Sequence, residues 1–93
     1  MIFVGYRRQV GRVDVEGVAE FIKSKNIYSK VYILHISPLH PSIKELIDKY
    51  GFFEILTTNF KKEIARLKKE DKVDAYDLND FGGRSMRSPC GGG

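Results

Sequence analysis

Apolar residues follow two alternating rhythms along this chain. Short, nearly continuous runs occupy residues 2–6, 31–36, 52–57 and 73–78. Between them apolar positions recur at spacings of three and four: Val15, Val18, Phe21 and Ile22; Ile43, Leu46, Ile47 and Tyr50; Phe60, Ile64 and Leu67. The runs have the length of strands, and the stripes have the period of helices with one buried face. Within 31–36 the apolar residues barely alternate with polar ones, as in a strand covered on both faces. The pattern therefore predicts an α/β fold, β-α-β-α-β-α-β, in which a mostly parallel four-stranded sheet is covered by helices in two or three layers.

Turn and cap residues sharpen the boundaries. Asp14 suits the N-cap of a first helix over 15–25. Pro41 suits the first turn of a second helix, which Gly51 stops after Tyr50. Thr58 or Asn59 caps the third helix. Gly5 interrupts the first run and marks a bulge or a close backbone approach. Past Phe81 the composition shifts to Gly, Ser, Arg and Pro, with Met86 the one sizeable apolar group of residues 82–93. The reading is one domain over 1–80 and a disordered Gly-rich tail over 81–93 that carries the chain's single cysteine, Cys90.

Ninety-three residues hold one modest core, so pairing with a second copy is a plain route to further burial. No apolar run approaches bilayer length, and the first residues lack the basic and apolar regions of a signal peptide. With one cysteine no intrachain disulfide forms, and the chain reads as a cytoplasmic protein. Abundant Lys, Ile and Glu lean toward a thermophilic source. The net charge of +4 permits an anionic partner without requiring one.

Ligands of open parallel sheets bind beyond the carboxyl ends of the strands, where helix N-termini also point. That edge collects Arg7, Arg8, Ser37, His40, Thr58 and Asn59, with Asp77 and Asn79 beside them. The set suits a phosphate or carboxylate. Capping explains Asp14, Thr58 and Asn59 equally well, and Arg7 and Arg8 would then be solvated. No glycine-rich dinucleotide fingerprint and no P-loop occurs. His35 and His40 lack zinc-ligand spacing, so His35 reads as a strand residue bonded to a neighbour and His40 as a loop or cap residue. Cys90, near Arg84 and Arg87, is a candidate mobile thiol. Lys61, Lys62, Arg66, Lys68, Lys69 and Lys72 form a basic run that suits either phosphate contacts or a solvated face.

These residues describe a small accessory or binding protein that engages an anionic ligand or a protein partner at the carboxyl edge of the sheet. Two other readings compete with it. One is a thiol-dependent sulfur- or metal-handling factor using Cys90; the other is non-specific nucleic-acid binding through the basic third helix. The sequence names no catalytic residue, metal ligand or cofactor.

Overall fold

The structure, a computed structural model, describes residues 1–80. Seven elements alternate: β1 (Ile2–Tyr6), α1 (Arg12–Lys25), β2 (Lys30–His35), α2 (Pro41–Tyr50), β3 (Phe53–Leu56), α3 (Phe60–Lys68) and β4 (Val73–Asp77). The four strands form one sheet in the order β3-β2-β1-β4, and every pairing is parallel. The α/β class and the alternation predicted from periodicity are both present.

Handedness distributes the helices. The crossovers β1-α1-β2 and β2-α2-β3 step in the same direction across the sheet, so right-handed connections put α1 and α2 on one face. The third crossover returns past β1 to β4, which sends α3 to the other face. The core divides accordingly. Phe3, Val15, Val18, Val31, Ile33 and Ile47 pack beneath α1 and α2. Ile2, Val4, Leu34 and Leu67 pack beneath α3. Alternate residues of β1 and β2 enter opposite clusters, and β1 is buried from Ile2 to Gly5. This explains the unbroken apolar runs: a central strand has no polar face.

An α-helix is about 10 Å across and strands lie about 4.8 Å apart, so one helix covers about two strands. Two helices therefore suffice for one face of this sheet. The nine-residue α3 covers only about half of the other.

Two local features depart from the sequence reading. The first helix begins at Arg12 rather than Val15, with Gly11 as its N-cap. Asp14 lies one turn inside the helix, where its buried carboxylate accepts the Gly11 N–H at 2.8 Å. From the third helical position it satisfies the amide of the N-cap residue itself, the reciprocal half of a capping box. The second feature is a ring cluster absent from the sequence reading. Phe3 is ringed by Phe21, Tyr28 and Tyr76, with centroids 5.5, 5.4 and 5.2 Å away. Tyr28 also donates its hydroxyl to Asp74 at 2.8 Å, tying the turn before β2 to β4.

Of the two alternatives at Gly5 the close approach holds and the bulge does not, since β1 keeps unbroken register with both neighbours. A Cβ there would fall 2.8 Å from Cδ2 of Leu78, whose side chain is fully buried across β1. Gly51 ends α2 with φ of 77°, a left-handed conformation that a side chain would strain.

The Leu78 contact predicts a coupled pair. Gly5→Ala should destabilise by about 1–3 kcal/mol through overpacking, and Leu78→Ala by about 2–5 kcal/mol through a cavity. The double variant should lose less than the sum in urea denaturation, because the smaller residue makes room for the new methyl. Tyr28 gives a pH test. Burial, reinforced by the bond to Asp74, raises its phenol above the ordinary value. A raised folded value contributes stability fully below the unfolded value of about 10 and loses it as pH climbs past that point. Tyr28→Phe should therefore flatten the fall in stability above about pH 10, measured by denaturation across pH 8–11.

Candidate functional site

The carboxyl edge of the sheet is held together chiefly by its own loops. The carbonyl of Arg8 accepts the N–H groups of both Ile36 and Ser37, at 3.0 and 2.9 Å, joining the segments after β1 and β2. The Thr57 N–H donates to the His35 carbonyl at 2.8 Å and draws in the end of β3. Beyond β4, Asp77 accepts the Asn79 N–H, and Leu78 fills the space over Gly5.

The residues expected to bind an anion are largely engaged with the chain itself. One guanidinium nitrogen of Arg7 contacts both carboxylate oxygens of Asp14, at 2.9 and 3.0 Å. Asp14 is only 2% exposed and Arg7 about two-fifths exposed, so Arg7 is no solvated strand-end charge. It neutralises a buried carboxylate and anchors the start of α1 to the end of β1. Arg8 is exposed.

At α2, His40 is the N-cap. Its Nδ1 accepts the Ser42 N–H at 3.1 Å and the Ser42 hydroxyl at 2.8 Å. Pro41 has no N–H, and the Ile43 and Lys44 amides donate to the His40 carbonyl. The first turn of α2 therefore spends its amides internally. At α3, Asn59 is the cap and accepts the Lys62 N–H at 3.1 Å, while Thr57 accepts the Asn59 N–H. Thr58 is exposed beside them. Because α2 and α3 lie on opposite faces, their N-termini open on opposite sides of the sheet. What this edge leaves available to an anion is Arg8 and the first amides of α3.

His35 is more deeply placed than its sequence context suggested, at 1% exposure. Its Nδ1 donates to the Ser37 carbonyl at 2.7 Å, and its Nε2 contacts the Glu54 carboxylate. Both ring nitrogens are occupied, so the imidazole serves as a structural bracket between β2 and β3. Cys90, Arg84 and Arg87 lie outside the described residues. Among the described residues no cluster of three or more His, Cys, Asp or Glu could hold a metal ion, and no helix is long and apolar enough to cross a membrane. The basic run on α3 and the turn after it is exposed, with Arg66 paired to Glu63 at 2.7 Å.

The least satisfied surface lies elsewhere, along β3. This strand forms one edge of the sheet. In a parallel ladder alternate residues turn both backbone groups toward the same neighbour. Since the Thr57 N–H faces β2, those of Ile55 and Phe53 do too, and Glu54 and Leu56 turn theirs outward. Tyr50, Phe53 and Leu56 are three of the six large apolar side chains exposed among the described residues. Phe53 stacks on Tyr32 at 5.1 Å on the α3 face, where the single helix does not reach. Leu56, in register with His35, lies on the opposite face.

An edge strand ordinarily carries a charge that discourages pairing. The one charge on β3 is Glu54, and it is turned onto His35. A shallow groove of about 240 Å³ runs beside the strand, lined by Lys44, Ile47, Asp48, Phe52, Phe53 and Glu54. The sequence held the composition of this strand but not its position at an edge, which follows from strand order.

No protein-family model, curated protein or solved structure matches the chain. Its geometry is the basis for any functional reading.

The two arginines after β1 should separate in a stability measurement. Arg7→Ala leaves the buried Asp14 carboxylate without its cation and should cost about 1.5–3 kcal/mol. Arg8→Ala, a surface change, should stay within about 0.5 kcal/mol. Chemical denaturation of both variants at neutral pH checks the difference.

Proposed function

We propose that this protein is a small binding module that works by engaging another polypeptide along β3. The supporting observation is the combination on that strand: outward backbone groups at Glu54 and Leu56, exposed Phe53 and Leu56, and the only charge turned inward onto His35. A strand laid against such an edge gains main-chain hydrogen bonds, and side chains on alternate faces supply selectivity. The described residues offer no comparable arrangement for chemistry. His35 has both nitrogens bonded within the protein, and Arg7 is matched to Asp14. The binding role expected from the sequence is kept, and its surface moves from the carboxyl edge to the side of the sheet.

A photo-crosslinking residue placed at Phe53, with a control at the exposed Glu20 of α1, tests this reading in cells that produce the protein. Adducts to an identified polypeptide at position 53 and not at 20 are the expected result. Equal labelling at both positions, or none at 53, would overturn it. Titration with phosphate and mononucleotides, followed by amide chemical shifts, is the second arm. Tight binding with shifts clustered at Arg8, Thr58 and Lys61 would make the carboxyl edge the working surface instead.

A further inference from the structure

We infer that the polypeptide received by β3 is a second copy of this chain, joined by antiparallel pairing of the two β3 strands into one eight-stranded sheet. The inference rests on the reading above and adds the partner's identity and register.

Two-fold symmetry requires a strand that meets its own copy to run antiparallel to it. The outward backbone groups of β3 belong to Glu54 and Leu56, so these two residues can exchange hydrogen bonds across the axis. Glu54 then pairs with the partner's Leu56, and Leu56 with the partner's Glu54. Ile55 sits on the axis opposite the partner's Ile55 in a non-hydrogen-bonded pair, where Cα atoms approach to about 4.5 Å. This register satisfies every outward group of the strand between Phe53 and Leu56.

The helices fit the same axis. Right-handed connection places α2 over β2 and β3, and strands repeat every ~4.8 Å. A helix centred between β2 and β3 then lies about 10 Å from its two-fold mate, which is the spacing of packed helices. The groove beside β3 becomes the seam between the two helices.

Its charges are self-complementary. Lys44 and Asp48 both line the groove, one turn apart on α2. Antiparallel helices set Lys44 of each protomer toward Asp48 of the other. The basic α3 lies on the opposite face, away from this seam, so its lysines do not crowd it. On that face Ile55, partly buried against the α3 cluster, meets the partner's Ile55 at the axis, with exposed Phe53 to one side. Exposed Phe53 and Leu56 become interface residues, and an edge whose one charge, Glu54, is engaged by His35 ceases to be an edge on pairing.

The test uses the full-length chain. Sedimentation at tens of micromolar should give twice the 10.6 kDa protomer mass. Leu56→Glu, at a side chain that is 58% exposed in the single chain, should keep the circular dichroism of the parent and weaken the dimer at least roughly 30-fold, because it sets a second carboxylate against the partner's Glu54. In a Cys90→Ser background, Ile55→Cys should form an intermolecular disulfide on mild oxidation, because residue 55 faces itself, and Phe53→Cys should not. A monomer at every concentration overturns the proposal, as does a dimer untouched by Leu56→Glu in which residue 55 fails to crosslink. If the purified chain is monomeric while position 53 captures a different polypeptide in cells, the binding reading stands and the second copy is excluded.

Discussion

The width of a helix relative to a strand governs this molecule. Four strands need two helices on each face, and a chain with three crossovers supplies three. Right-handedness then decides which face is short, since the two crossovers that step the same way must share a side. The well-covered face holds the larger core, from Phe3 through Ile47, and the ring cluster around Phe3. The other face has Leu67 of α3 over Ile2, Val4 and Leu34, and its cover runs out toward β3. The exposure of Phe53 is a consequence of that shortage rather than an isolated irregularity.

Buried polar groups in this fold occur as matched sets, and each joins separate elements. Asp14 receives Arg7 and the Gly11 amide, linking β1 to α1. His35 bridges the Ser37 carbonyl and Glu54, linking the end of β2 to β3. No buried side-chain nitrogen or oxygen among the described residues lacks a partner. Such pairing is required, because an unpaired buried charge costs several kcal/mol. It also has a functional consequence. Groups that look reactive or ligand-ready in a linear reading are consumed in holding loops together, and the surface left unsatisfied is backbone and hydrocarbon.

The two uses of charge near β3 follow from the same economy. Glu54 is drawn toward the sheet because its carboxylate meets Nε2 of His35, whose Nδ1 already donates to the Ser37 carbonyl. Engaging Glu54 in this way leaves the edge without a free charge. Edge strands without charge are prone to pairing, so satisfying a buried histidine and exposing a sticky strand are linked by one side chain.

Hydrophobic periodicity determined the element order, the parallel sheet and most of the core, because burial on one face of a helix or both faces of a strand is written locally as a period. Gly5 announced a close approach, and Asn59 and His40 announced caps, since these depend on neighbours within a few residues. Strand order was not legible: nothing local distinguishes β3 as an edge from β1 as the centre. The partners of Arg7 and His35 were hidden for a related reason. Asp14 is seven residues from Arg7, and Glu54 is nineteen from His35. Only the folded sheet brings each pair into contact. The chain's local pattern thus decided what would be buried. Tertiary structure decided which charges cancel and which strand remains open, because both depend on contacts between residues distant in sequence.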